Sequence, residues 1–146
     1  MKLGNIVVVN LHTYIKRGYP SEVFIGRGDI YGNPFSHLTQ QTKAKWYRPT
    51  RDAACDAFEE WYLNSDDIEA KRARNGVRRL AFRVSQGGDL VLCCYCVPLR
   101  CHGTWLKERI LEEAKKILDA EQKERDDAET YSDGREQHNA EWDVNH

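Results

Sequence analysis

Asp89-Leu90-Val91-Leu92-Cys93-Cys94-Tyr95-Cys96-Val97-Pro98-Leu99-Arg100-Cys101-His102-Gly103 is the stretch that decides the fold. Its nearly all-apolar first part, Asp89 to Cys96, predicts a buried strand, and a short loop through Pro98 follows it. Leu106, Ile110, Ala114, Ile117 and Leu118 then recur at helical spacing as one buried stripe. Working back toward the N-terminus, Val77, Leu80, Ala81 and Val84 form a second helical stripe that stops at Gly87-Gly88. Asp66 and Glu69 resemble a capping box at its start, and Gly76 inside it predicts a break, since glycine costs roughly 1 kcal/mol against alanine in a helix. Ala54, Phe58, Trp61 and Tyr62 place another helix over Thr50 to Leu63, with Asp52 in its first turn. Two β-type runs come first, Ile6-Val7-Val8-Val9-Asn10 and Glu22-Val23-Phe24-Ile25-Gly26. The order strand, strand, helices, strand, helix contains a strand, a long helical crossover and another buried strand. That is a βαβ unit, so the expected fold is α/β: a small Rossmann-like sheet of three or four mostly parallel strands covered by helices.

A chain of 146 residues suits one domain with a core of its own. No run of about 18 apolar residues occurs, and Met1 to Ile6 leads into a β-type segment rather than a signal peptide. A soluble, cytoplasmic protein with no membrane partner is expected. The formal charge of −1 conceals an asymmetry: residues 121–146 hold nine acids and three bases, whereas residues 1–120 carry a net +5. The expected division is a single α/β domain over 1–120 and an acidic, flexible tail over 121–146, beginning as a frayed helix end near Gln122. Lys71-Arg72-Ala73-Arg74 and Arg78-Arg79 through Arg83 concentrate positive charge, either as a solvated helix face or as a patch for phosphate, nucleic acid or an acidic partner.

Five cysteines are an odd number and are clustered, which fits reduced thiols in a metal site or in thiol chemistry better than a secreted disulfide framework. Strand pleating puts Cys94 and Cys96 on one face, with Cys93 and Tyr95 on the other as packing residues. Cys94, Cys96, Cys101 and His102 together provide the four ligands of a tetrahedral zinc site, or thiolates for an iron–sulfur cluster. Thiolates on one zinc lie within about 4 Å of each other while strand neighbours at i+2 start about 6.6 Å apart, so side chains must rotate to close the gap. A second reading makes Cys101 a nucleophile at a strand-to-helix junction, where backbone amides attract anions and lower a thiol's pKa, with His102 beside it at the reacting centre. Adjacent residues on a helical turn do not face each other, so this reading looks to His12 or His37 for a base. The third reading is a core, because unpaired cysteine is among the most buried residue types. It accounts well for Cys93 and poorly for Cys101-His102-Gly103.

The loop Gly26-Arg27-Gly28-Asp29-Ile30-Tyr31-Gly32-Asn33-Pro34-Phe35 is not the dinucleotide fingerprint, whose third glycine follows the second by three residues and opens a helix. It is either a structural turn or a cradle whose amides hold phosphate, with Arg27 as the charge partner and Asn33 as a polar reader. If the strands before this loop and before Cys101 are parallel neighbours, both segments reach the carboxyl edge of the sheet, where open α/β sheets bind ligands.

Val23-Phe24-Ile25-Gly26-Arg27-Gly28, Gly32-Asn33-Pro34-Phe35, and Cys94-Tyr95-Cys96 with Pro98 and Cys101-His102-Gly103 resemble the family catalogued as domain of unknown function 4326. Its members occur in phages, bacteria and some eukaryotes. Tyr95 stands where the family usually has tryptophan, Asp29 where a small hydroxyl residue is more frequent, and Cys93 is extra; the candidate ligands are intact. Pro98 with Gly103-Thr104 is loosely similar to the second glycine motif of Rossmann-like nucleotide-processing proteins such as cytokinin-activating phosphoribohydrolases, though Pro-Gly-Gly is missing and only Glu108 lies near the place of their catalytic glutamate. The resemblance implies a phage-encoded protein of the host cytoplasm. The expected function is binding or processing of a nucleotide or phosphorylated small molecule, with Gly26, Arg27, Gly28, Gly32, Asn33 and Gly103 as ligand contacts and Cys101 and His102 at the reacting centre. The alternative is a non-enzymatic, metal-stapled module that engages nucleic acid or a host protein.

Overall fold

The computed structural model describes residues 2–39 and 44–144, with side chains as far as Thr130. It is an α/β fold with the element order β1 (Ile6–Asn10), β2 (Glu22–Phe24), β3 (Phe35–Ser36), β4 (Trp46–Tyr47), α1 (Arg51–Asn64), α2 (Ile68–Ser85), β5 (Leu90–Cys94) and α3 (His102–Val144). The apolar run from Leu90 becomes the central strand: the main sheet has the order β1-β5-β2, and β5 pairs in parallel with both neighbours. Ile6 pairs with Leu90, Asn10 with Cys94, and Phe24 with Cys93, so all three strands end together at one carboxyl edge. Beyond the strands, Leu11 and Ile25 still donate their amides to the carbonyls of Cys94 and Cys93, at 2.8 and 3.0 Å.

Alternation along the strands sorts their side chains. Ile6, Leu90, Leu92 and Cys94, together with Ile25, join Val77, Ala81 and Val84 of α2 and Leu106, Ile110 and Ala114 of α3 in one apolar core. Val7 and Cys93 take the opposite face, where Val7 is exposed and Cys93 is fully buried, its thiol donating to the Val91 carbonyl at 3.6 Å. Phe58 of α1 is the largest fully buried side chain, and its ring lies within 5.0–6.1 Å of the rings of Trp61, Tyr62, His102 and Trp105.

Several local expectations shift. The strand expected over Asp89–Cys96 is shorter, because β5 ends at Cys94 and leaves Cys96 on the loop. The cap of α2 is Asp67, which accepts from the Glu69 amide, one residue after the expected Asp66. No break occurs at Gly76: α2 runs through it. The missing side chain makes room instead, since a Cβ there would lie 2.8 Å from the Tyr31 ring and hydroxyl. The pair β3–β4, with two residues in each strand, was not anticipated, since two residues cannot display a period. Residues 121–130 continue α3 as an exposed helix, and the remaining side chains of the acidic segment lie outside the described residues. Among the described residues no helix is long and apolar enough to cross a membrane.

α1 starts where Thr50 accepts the Ala53 amide at 3.0 Å. Thr50→Ala is expected to lower stability by about 1 kcal/mol, measured as a shift in the urea unfolding midpoint with an unchanged m-value.

Candidate functional site

A cleft of about 530 Å³ opens at the carboxyl edge of the sheet. Its walls come from the ends of β2 and β5, the glycine loop, the first turn of α1 and the first turn of α3. Cys55, Cys94, Cys96 and Cys101 all line it, whereas Cys93 does not. Arg27, Arg51, Arg100, His37 and His102 contribute basic groups, Phe24, Leu38 and Tyr95 contribute flat or apolar surface, and among the described residues no aspartate or glutamate lines it.

The thiols form a cluster. Cys101 precedes α3 in the cap position, and its Sγ accepts the Gly103 amide at 3.3 Å. Interaction with Cys101 holds Cys94 and Cys96 below the ordinary thiol range, at about 6, and pushes Cys101 up. Both Cys96 and Arg51 line this cleft. Near neutral pH the cluster therefore carries thiolate character on the cleft wall, spread over groups that titrate together.

His102 is buried at the floor. Its Nε2 lies 2.8 Å from both the Ile25 and Tyr31 carbonyl oxygens, so that nitrogen carries the hydrogen and Nδ1 presents a lone pair. Nδ1 lies 3.7 Å from Cys101 Sγ. The expectation that these neighbours would not face each other is thus corrected: Cys101 lies just outside the helix and His102 just inside, so helical angular spacing does not separate them. Burial lowers the His102 pKa to about 4, so the ring is neutral and acts as a poor base that orients Cys101.

The glycine loop divides two clefts. Gly26 faces the thiol cleft, Gly28 and Gly32 face a smaller one of about 240 Å³, and Arg27 and Asn33 line both. Arg27 Nη1 donates to the carbonyls of Asn33 and Phe35, each at 2.6 Å, which ties the loop into its shape. Asn33 is buried with both ends of its amide engaged: Oδ1 accepts from Phe35 and Nδ2 donates to the Ala54 carbonyl at 3.3 Å. Gly103 is a packing position, where a Cβ would lie 2.6 Å from Ile25 Cδ1, and its amide is already given to Cys101. Of the residues expected to contact ligand, the geometry therefore turns Arg27 and Gly26 toward the large cleft, and commits the Asn33 side chain and the Gly103 amide to the protein itself. His12 packs against the Tyr95 ring at 5.0 Å and does not line the cleft, whereas His37 does.

Arg51, Cys55 and Phe24 join the cleft without a motif in the sequence that marks them, and Tyr95, expected to pack, is exposed and lines the cleft. Only the position of Cys55 beside Ala54 on the apolar stripe of α1 hinted at its inward direction. Arg100 is neutralised by Asp52, Asp56 and Glu59 at 3.0, 2.7 and 3.2 Å. Among the described residues neither Arg27 nor Arg51 has a carboxylate at ion-pair distance. Half-burial lowers the Arg27 pKa, and the nearby sulfurs of Cys96, Cys55 and Cys101 oppose that shift. Among the described residues no group of three or more histidine, cysteine or acidic side chains is arranged to hold a metal ion.

Residues 9–112 match the family described as Domain of unknown function (DUF4326). No curated protein and no solved structure matches the chain.

Proposed function

We propose that this chain, which belongs to the family described as Domain of unknown function (DUF4326), binds a nucleotide or a similar phosphorylated small molecule in its thiol cleft. One observation carries the reading: among the described residues the cleft is lined by three arginines and no carboxylate, and neither Arg27 nor Arg51 has a carboxylate partner. A guanidinium without a carboxylate partner beside an enclosed surface matches phosphate oxygens in both charge and fork geometry. The N-termini of α1 and α3 add amide dipoles of the same sign. Phe24, Tyr95 and Leu38 offer the flat apolar wall that a base or similar ring requires. The thiol cluster stands at the reacting end, with Cys101 oriented by His102.

The experiment is a thermal-shift and calorimetric panel of nucleoside monophosphates and diphosphates, ribose 5-phosphate and inorganic phosphate. A ligand at about 100 times its Kd is expected to add roughly 2.7 kcal/mol. Arg51→Ala is expected to weaken binding about 10- to 100-fold, as loss of a charge-assisted hydrogen bond of about 1.5–3 kcal/mol implies, whereas Arg78→Ala on the exposed face of α2 leaves it unchanged. Silence across the panel overturns the reading. So does equal binding by Arg51→Ala.

A second reading has its own observation. Lys71, Arg72, Arg78 and Arg79 are exposed on α2 and take no part in the ion pairs seen among the described residues. Steeply salt-dependent binding of DNA or RNA, lost when Arg72 and Arg79 become glutamate, favours the interaction module instead. Stoichiometric zinc that disappears in Cys94→Ser and Cys101→Ser assigns the thiols to a metal staple in that module.

A further inference from the structure

We propose that the smaller cleft, across the glycine loop from the thiols, is a second binding site, one for a compact organic oxyanion: a phosphate monoester or carboxylate on a short carbon body. The cleft holds about 240 Å³, below the roughly 300–1,000 Å³ of pockets that enclose drug-sized ligands, so its occupant is small. Arg72 of α2 lines it, exposed and with neither an ion pair nor a hydrogen bond among the described residues. Trp61 of α1 lines it too, and its Nε1 is buried with no hydrogen-bond partner among the described residues. A buried donor left unpaired is costly, and an indole N–H is satisfied only by an acceptor. The amides of Gly28 and Asp29, two further lining residues, likewise make no hydrogen bond among the described residues. Gly28 holds a positive φ of 90°, and successive amides in such a turn form concavities that bind anions.

Two carboxylates also line the cleft, and both are engaged: Glu69 pairs with Lys45 at 2.5 Å, and Asp29 Oδ1 accepts the Ile30 amide at 2.7 Å. Arg27, Lys45 and Arg72 together leave the lining with one positive charge in excess. Arg27 commits Nη1 to the carbonyls of Asn33 and Phe35, and Lys45 is paired, so Arg72 is the cation placed to meet a ligand. Ile30, Pro34 and the Trp61 ring supply an apolar wall. A bare inorganic ion leaves that wall unused, whereas an oxyanion with a carbon body meets both the donors and the apolar surface. Trp61 and Arg72 do not line the thiol cleft, so this inference stands or falls separately from the binding proposal made there.

The test follows the tryptophan indole N–H signals of the full-length protein by NMR during titration with phenyl phosphate, benzoate and neutral benzyl alcohol at constant ionic strength. Trp61→Phe, which keeps a ring beside Phe58, identifies the Trp61 signal. The expected result is a saturable shift of that signal with phenyl phosphate or benzoate and none with benzyl alcohol, the tighter anion telling phosphate from carboxylate. Arg72→Ala is expected to weaken binding about 5- to 10-fold, as loss of one charge-assisted hydrogen bond at an exposed position implies. Arg78→Ala, on the exposed surface of the same helix, leaves it unchanged. A Trp61 signal that neither anion moves in the folded protein overturns the proposal, as does an equal response to benzyl alcohol or an unchanged affinity in Arg72→Ala.

Discussion

Phe58→Ala is expected to destabilise the fold by about 3–5 kcal/mol and to distort the floor of the thiol cleft. The ring is fully buried, so removing it deletes its transfer free energy and leaves a cavity. It is also the hub of an aromatic cluster, edge-on to Trp105 at 5.7 Å and to His102 at 5.0 Å, so truncation loses several ring contacts at once. The effect reaches the site because the Phe58 ring packs against the imidazole that carbonyls hold at Nε2 and Cys101 meets at Nδ1. Urea unfolding measures the energy. A loss below 1 kcal/mol would show that the neighbouring rings collapse into the space. Phe58→Leu, which retains most of the volume, is expected to cost substantially less.

The second large effect is a loss of stability in acid that originates in His102. Its pKa is about 4 in the folded protein against an ordinary value of 6.5, because the buried imidazole is disfavoured as a cation. As pH falls through 6.5 the unfolded chain takes up this proton first, so protonation favours unfolding. The stabilisation is complete above about 6.5 and declines toward pH 4, by about 3 kcal/mol over the window. His102→Gln retains an amide donor for the Ile25 and Tyr31 carbonyls and cannot titrate. Stability measured at several pH values between 7 and 4 should therefore fall more steeply in the wild type than in the variant. Parallel slopes would refute the assignment.

Several features of this protein are written locally in the chain. The β-branched run at Ile6–Asn10 and the apolar run at Leu90–Cys94 become strands in the expected places, and the stripe on Thr50–Leu63 becomes α1 almost residue for residue. Membership of the family was legible too: the stretches that carried the resemblance, Gly26–Phe35 and Cys94–Gly103, lie within residues 9–112 that match it. What escaped depends on contacts between segments distant in the chain. Gly76 looks like a helix breaker by propensity, yet α2 continues because the Tyr31 ring takes up the space beside it. Asn33 looks like a polar reader and is instead consumed by the backbones of Phe35 and Ala54.

The cysteine-rich segment shows the same division most sharply. Pleating assigns Cys94 to one face and Cys93 to the other, a consequence of the two-residue repeat of a strand that any register of the sheet preserves, whereas Cys96, expected on the face of Cys94, lies past the strand end on the loop. The sequence thus determined an α/β fold, a central buried strand, and a thiol-bearing junction between that strand and a helix. Only the tertiary structure decided that Cys55 and Arg51 of α1 join the junction, that His102 faces Cys101, and that Arg100 is neutralised while Arg27 and Arg51 have no carboxylate partner among the described residues. Periodicity reports which way a side chain points from its own element. Charge balance, shared protons and enclosed space depend on what comes to meet it.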